Sequence, residues 1–455
     1  MEPRNFLPED YRVFAPWEKV TDRILTPIER FIKSQTATAL SLMIMTVVAL
    51  ILANSPLSEV YHHFFKTPFT ICFGDHCFSL TLHHWINDGL MTLFFFLIGL
   101  EIKREILVGE LANLRAALLP VLAAIGGMVV PALLYVSMNY GKPTIDGWGI
   151  PMATDIAFAI SVIVLLGRRI PSSLLTFLVA LAIVDDLGAV LVIALFYTKS
   201  LNFIALGIAA LFLVGLTILS LAGIRHVLPY FLGGLCVWAA MLVSGVHATV
   251  AGVLTAFTIP STPKLNPLHF RDTLERLLKG KCKPSTDPRI LSEAQQTIVE
   301  AVHTVSVEVR SPLWRMEHAL HLPVALIVIP LFALANAGVK LDFSSITAIW
   351  QDSIASGIFL GLLLGKPIGI VGMTWLGHKL KIVSFPPGVT IFHYIGVGLL
   401  AGIGFTMSIF IAELAFYGQA DHLAKAKAAI ILASFLAGVL GYIWLRLLSS
   451  KKVAG

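Results

Sequence analysis

The sequence predicts an all-α integral membrane protein of twelve transmembrane helices, with inverted repeats and two broken, crossing helices, the fourth and the eleventh. Three observations predict it. The chain is 57% hydrophobic and only 13% charged over 455 residues, whereas soluble domains carry about 25% charge. Its apolar runs recur at roughly the 20 residues that a helix needs to cross a bilayer. Two of those runs, in different halves of the chain, are interrupted by glycine or proline beside polar residues. Such paired breaks point to a midplane binding site between inverted repeats.

The spans lie near 36–54, 83–102, 116–136, 148–166, 173–196, 203–222, 227–243, 244–260, 321–339, 354–375, 391–414 and 424–448, with only Ser244-Gly-Val between the seventh and eighth. Residues 1–33 are polar and charged, with no apolar core ending at a small-residue cleavage site, so they read as a cytoplasmic N-terminal segment. Residues 34–450 then form a single transmembrane domain. With the N-terminus inside, Lys66, Lys142, Lys199, Lys340, Lys425 and Lys427 fall outside, six of the 33 Lys and Arg. Lys366 lies within a span and the rest fall on the inner side, as the positive-inside rule asks. The even span count returns the C-terminus, with Lys451 and Lys452, to the cytoplasm. The net charge of +6 is therefore topological, and no nucleic-acid partner is implied.

The first outer loop, 55–82, holds two short β-prone runs around Gly74-Asp75. Glycine first in a two-residue turn suits type II′, which sets Cys72 and Cys77 opposite one another in the closer class of antiparallel pair. A disulfide and two free thiols both fit. Zinc does not, because no second ligand pair exists. Cys236 falls in a span and Cys282 on the inner side. The inner loop, 260–313, begins basic, then places Ile290, Leu291, Ala294, Ile298, Val302 and Val305 at mostly four-residue spacing, an amphipathic helix along the cytoplasmic face.

The chemistry lies in the spans. Leu178-Val-Ala-Leu-Ala-Ile-Val-Asp185-Asp186-Leu-Gly-Ala-Val-Leu-Val-Ile193 buries two adjacent carboxylates, each costing roughly 2.5–3.5 kcal/mol at the centre of a spanning helix. Their retention points to cation binding or proton relay. Successive helical side chains diverge by about 100°, so one aspartate faces a cavity and the other a neighbouring helix. Lys366 is the natural mate of one. Asp155, beside Thr154 at the fourth-span break in Gly149-Ile-Pro151-Met-Ala-Thr154-Asp155, can meet the other in a pocket with freed carbonyls. Carboxylate, hydroxyl and carbonyl oxygens suit a small hard cation, and the same carboxylates can take protons when it leaves. The eleventh span breaks at Gly396, Gly398, Gly402 and Gly404. Glu413, near its outer end, reads as solvated.

Ala153-Thr-Asp-Ile-Ala-Phe-Ala159, Leu181-Ala-Ile-Val-Asp-Asp-Leu-Gly188, Ala335-Asn-Ala-Gly-Val339, Gly365-Lys-Pro367 and Gly402-Ile-Gly-Phe-Thr-Met-Ser-Ile409 together resemble the NhaA-type sodium/proton antiporters, over nearly all of 34–448. This family is among those from which the inverted-repeat rule is drawn, so the two readings are not independent. The resemblance implies that Asp186 is the main cation and proton carboxylate with Asp185 beside it, sodium binding at the two. It implies that Asp155 and Thr154 sit at the crossing of the broken helices and that Lys366 pairs with Asp185 or the helix ends. It maps pH-response positions onto Glu101, Glu105, His247, Glu317, His318 and His321, and an acidic position onto Asp88. Each has a plainer reading: Glu101 and Glu105 as snorkelling charges at an inner helix end, His247 as a partner of a nearby carbonyl.

The outer hairpin resembles the one through which family members dimerise. The chain departs from the family in its extended N-terminus and longer loop before Arg315. The expected activity is pH-regulated, electrogenic exchange of sodium or lithium for protons across a bacterial inner membrane, with no cofactor. Charge movement is expected because the site has more titratable groups than one cation needs. Two other readings compete. An intramembrane aspartyl protease would want one aspartate on each of two facing helices. A proton-coupled carrier of another small solute would want a larger lined pocket.

Overall fold

The computed structural model describes residues 35–74, 76–198, 201–278, 292–340 and 350–450. The expected N-terminal segment 1–33, together with Lys199, Cys282, Ile290, Leu291, Lys451 and Lys452, lies outside the described residues. Among the described residues, eight helices are long and apolar enough to cross a membrane, or up to ten if each of two bent pairs counts as one span. The protein is therefore an all-α, multi-pass membrane protein.

Helix α1 (Gln35–Ala53) turns by 114° into the short α2 (Ser58–Lys66), which leads to the strands β1 (Pro68–Phe73) and β2 (His76–Thr81). The hairpin has the expected register, Cys72 opposite Cys77 and Phe73 opposite His76. Gly74 takes φ +61°, the left-handed region that a first turn glycine can adopt without strain. Cys72 is disulfide-bonded.

A π-helical turn, Trp85–Leu90, then feeds α3 (Met91–Val108). Helix α4 (Leu114–Asn139) carries Pro120 and Pro131 inside it. The fourth expected span is a 3₁₀ segment, Pro143–Met152, an extended stretch at 153–155, and α5 (Ile156–Leu166). Next come α6 (Ser172–Phe196), α7 (Phe203–Leu221), α8 (Val227–Ser244) and α9 (Thr249–Thr258). Gly245 at φ +85° stops α8 in a left-handed cap, the usual role of glycine at a helix end. Helix α9 is shorter than the span expected at 244–260.

Among the described residues the inner segment holds two α-helices, where the hydrophobic spacing anticipates one. Helix α10 (Phe270–Leu278) precedes α11 (Glu293–Glu308), which starts from a capping box between Ser292 and Gln295. The amides of Lys264 and Leu265 both donate to the Glu308 carbonyl at 3.0 Å, and the Lys264 side chain pairs with the Glu308 carboxylate. These bonds tie the two ends of the segment together.

Helix α12 (Pro312–Pro323) continues through a π turn, Val324–Val328, into α13 (Ile329–Asn336). Helix α14 (Ser353–Leu360) likewise continues through a π turn, Gly361–Gly365, into α15 (Lys366–Lys379). The eleventh span is split into α16 (Ile391–Ala401) and α17 (Phe405–Ala415), bent by 49° across Gly402–Gly404. Helix α18 (Ala420–Ser450) closes the chain.

Small residues set the closest approaches. A Cβ on Gly126 of α4 would meet the Gly369 carbonyl of α15, and one on Gly369 would meet the Gly126 carbonyl. One on Gly365 would run into the Pro131 backbone. Backbone-to-backbone contact of this kind is how spanning helices associate tightly without a hydrophobic driving force.

Candidate functional site

The two breaks face each other. The Asp155 amide donates to the Ile403 carbonyl at 2.6 Å, and the Thr154 hydroxyl donates to the Ala401 carbonyl at 2.9 Å. Ser408 Oγ donates to the Ile150 carbonyl at 2.8 Å. Each interrupted span thus satisfies backbone groups that the other leaves unpaired, which irregular backbone at membrane depth requires. The carbonyls of Ala401 and Ile403 are each taken by the opposite break.

Asp155 caps two helices at once. Its Oδ1 accepts the Phe158 amide of its own helix α5 at 3.1 Å. Its Oδ2 accepts the Thr406 amide at 3.1 Å and the Thr406 hydroxyl at 2.6 Å, at the start of α17. A carboxylate suits both places, because each helix start presents orphan N–H groups and a partial positive charge.

Asp185 and Asp186 lie on the unbroken α6, each 1% exposed. The fully buried Lys366 donates from Nζ to Asp185 Oδ2 at 2.5 Å and to Thr154 Oγ1 at 2.8 Å. One ammonium therefore joins α6 to the fourth-span break, while Thr154 passes the contact on to the eleventh. Asp186 points elsewhere, as the helical rotation demands. The charges that act on it are Asp185, Asp155, Glu101 and Lys366. Asp185 Oδ1 and Asp186 Oδ1 are buried and have no hydrogen-bond partner among the described residues. A buried carboxylate oxygen without a donor is costly, and a proton or a small cation is what relieves it. Among the described residues, three buried carboxyl groups face one lysine.

A second cluster surrounds α12. Arg104 Nη1 reaches Glu317 Oε1 at 2.8 Å, and Arg104 Nη2 reaches Glu105 Oε1 at 2.9 Å. Glu105 Oε2 accepts the Glu110 amide at 3.0 Å. Glu101 acts electrostatically on Asp186 and is itself acted on by Glu317, Arg104 and Glu105. It is the group shared by the two clusters. Lys103 donates to the Phe257 and Ile259 carbonyls, closing the end of α9. His318 stacks on Trp314 at 3.6 Å between ring centres, with Nδ1 3.1 Å from the Trp314 carbonyl oxygen. Arg310 lies over the same indole, 4.7 Å from its centre. His321 feels the charges of His318 and Arg104.

Two expected positions sit elsewhere. His247 Nε2 is 3.0 Å from the Tyr197 carbonyl oxygen, at the end of α6, the plainer contact anticipated for it. Asp88 lies in the first π turn, where its carbonyl accepts Thr92 Oγ1 at 2.5 Å and Trp238 Nε1 at 2.8 Å, and His84 and His83 are the charges near its side chain.

Glu413 corrects the sequence reading. Its side chain is 13% exposed, not solvated, with Oε1 2.5 Å from Lys427 Nζ and 3.6 Å from His83 Nε2. His83 Nε2 also lies 3.0 Å from Asn336 Oδ1, and Asn336 Nδ2 donates to Asn87 Oδ1 at 2.8 Å. Neither lysine nor histidine stands out in the sequence, since both lie near span ends where charge is ordinary. The only available signal is Glu413 itself, a lone charge in an apolar span.

Residues 29–445 match the family profile described as Na+/H+ antiporter 1. The chain is 54% identical to the Na(+)/H(+) antiporter NhaA of Sulfurimonas denitrificans, over 97% of this chain and 99% of that protein. It is 49% identical to Na(+)/H(+) antiporter NhaA 1 of Saccharophagus degradans, over 99% and 97%. It is 44% identical to the Na(+)/H(+) antiporter NhaA of Helicobacter pylori, over 95% and 98%.

Proposed function

Starting from the premise that the chain belongs to the Na+/H+ antiporter 1 family and is a sodium/proton antiporter, we propose that Asp155, Asp185, Asp186, Thr154 and Lys366 form its exchange site. In this reading Asp186, with Asp185 beside it, takes the sodium ion, and the same carboxylates take the protons that replace it. The observation that carries the reading is the charge deficit: three buried carboxylates face one ammonium, and two of their oxygens lack a donor.

Lys366 holds Asp185 and Thr154 together when both carboxylates of the pair are ionised, and releases Asp185 when sodium draws it away. Asp155 keeps the two breaks registered through its bonds to α5 and α17. Because the carboxylates can give up more protons than one sodium replaces, exchange moves net charge and follows the membrane potential. The same site accepts lithium, a smaller cation of equal charge. Alternating access follows from tilting of the two crossed, broken spans within a twelve-span bundle whose termini are both cytoplasmic, in a bacterial inner membrane. Glu101, Glu105, Glu317, His318 and His321 tune the response to pH at the inner edge, with His247 and Asp88 as outlying contributors. The disulfide-bearing hairpin is the contact through which two copies pair.

The test is the Asp186→Asn variant in everted vesicles, with sodium-induced collapse of the pH gradient as the readout from about pH 6 to 9. The amide can neither titrate nor neutralise the cation, so exchange should fall to background while expression holds. Normal sodium-dependent collapse by the variant would sink the assignment.

A further inference from the structure

Helix α17 is held at both ends. At the break, Thr406 clamps Asp155 through its amide and hydroxyl. At the far end, Glu413 is buried against Lys427 of α18, with His83 and Asn87 from the helical run that leads into α3 and Asn336 from α13 around it. Thr406 and Glu413 are two turns apart on one 11-residue helix, about 10 Å along nearly the same face. So short a helix moves as a rod. Whatever fixes Glu413 in height and rotation fixes the two Thr406 donors as well.

We propose that the Glu413–Lys427 ion pair is a positioning element for the exchange site, acting through α17 to hold the Thr406 donors on Asp155 and so setting how tightly sodium binds. The inference rests on the reading of Asp155 as part of that site. Three features support it. The pair is balanced, one carboxylate to one ammonium, so it has no deficit of its own for a transported cation to fill. It joins α17 to α18, so it constrains the half-span that carries the clamp against a helix that is not broken. It also absorbs Asn336 of the Ala335-Asn-Ala-Gly-Val339 stretch, whose side chain bridges His83 to Asn87 and braces the histidine against the carboxylate. A buried ion pair with hydrogen-bonded flanks gives geometry more reliably than stability.

The test compares the full chain with the Glu413→Gln/Lys427→Met pair, reconstituted in proteoliposomes, reading half-saturating sodium and maximal rate at one fixed pH. Removing both charges leaves no unpaired ion behind. The expected result is a rise in half-saturating sodium of about tenfold, the size of a typical coupling within one side-chain network, with the maximal rate within about twofold. Lys427→Arg, which keeps the charge, should bind sodium as the unaltered chain does. Unchanged half-saturating sodium in the folded neutral pair, whether or not the maximal rate falls, would show a purely structural contact and overturn the proposal. If the neutral pair does not fold, Glu413→Asp decides: one methylene shorter, it should pull α17 toward α18 and weaken sodium binding, and unchanged binding refutes the idea. Asp186→Asn in the same vesicles separates the two readings. Exchange surviving there removes the site itself, whereas exchange lost there with normal sodium binding in the Glu413 variants removes only the positioning role.

Discussion

Lys366 and Lys427 are both buried, and each reaches a carboxylate oxygen at 2.5 Å. Their surroundings differ. Around Lys366 stand Asp185, Asp186 and Asp155, with two buried oxygens lacking a donor. Around Lys427 the described residues place one carboxylate, Glu413, whose Oε1 is likewise buried without an aligned hydrogen bond, backed by a histidine and two asparagines. The difference teaches that burial and pairing do not make an exchange site. In the proposed reading a surplus of one sign does, because only a surplus leaves a place that a transported cation or proton stabilises.

The comparison breaks most visibly if both pairs are neutralised. Asp185→Asn/Lys366→Met should fold and lose exchange, since it leaves the surplus at two carboxylates but takes away the titrating group beside Asp186, while Glu413→Gln/Lys427→Met should keep exchanging with weaker sodium binding. Lys366→Met alone should be destabilised by about 3–5 kcal/mol, the cost of leaving a buried carboxylate uncompensated, read as a fall in the melting midpoint in detergent. Equal loss of exchange from both neutral pairs would mean that the Asp185–Lys366 pair has no special part in exchange.

A subtler measurement sharpens it. If sodium and protons compete for the same oxygens, half-saturating sodium should rise as pH falls, by up to about tenfold per unit for each competing proton in the acidic limit. The neutral Glu413 pair should show the same slope from a higher baseline. His247→Ala and Glu317→Gln should move the maximal rate without changing that slope. A constant flat from about pH 6.5 to 8.5, near the range where histidines titrate, would transfer control of the pH response to the Arg104–Glu317 edge.

The smallest effect is expected at a partly exposed pair at the ends of two spans. Asp352 caps α14 and meets Lys425 Nζ at 3.1 Å. Partial burial pushes its pKa up, but the bond from Lys425 and the amides of Ile354 and Ala355 outweigh that and hold it below the ordinary carboxylate range. A depressed folded pKa contributes stability above the unfolded value of about 3.9, and that stability is lost as pH falls through the folded one. Asp352→Asn keeps the cap and removes only the charge. It should cost under about 1 kcal/mol at neutral pH, as solvent-screened pairs do, and nothing in strong acid. A thermal melt at the two pH values checks this, and an equal loss at both would assign the effect to the cap.

What was legible follows the same logic of charge against apolar background. Asp155, Asp185, Asp186 and Lys366 stand out because their flanks in the sequence are otherwise almost wholly apolar, and the structure gathers them around two breaks already marked by glycine and proline. The register of the hairpin was legible from Gly74. The partners of Glu413 were not, since Lys427 and His83 sit at span ends and burial there depends on which helices pack above them. The double cap by Asp155 was hidden for a related reason: a capping residue is legible for its own helix, but not for one that begins some 250 residues later. The occupied carbonyls of Ala401 and Ile403 depend on the two breaks meeting, which no local pattern encodes.

The π turn at Gly361–Gly365 has a consequence of phase. A π turn takes up one more residue than an α turn, so the residues after it are rotated by about 100° relative to a regular helix of the same sequence. On a regular wheel drawn from Ser353, Lys366 would therefore face a different neighbour from the one it meets. The glycines that open and close that turn lie against Pro151 and Pro131, which keeps the offset in place. The azimuth of the ammonium in the centre is thus written in five apolar residues that carry no charge at all: winding the same five as a regular α turn, with none lost, would turn the lysine away from Asp185 while leaving its depth in the membrane almost unaltered.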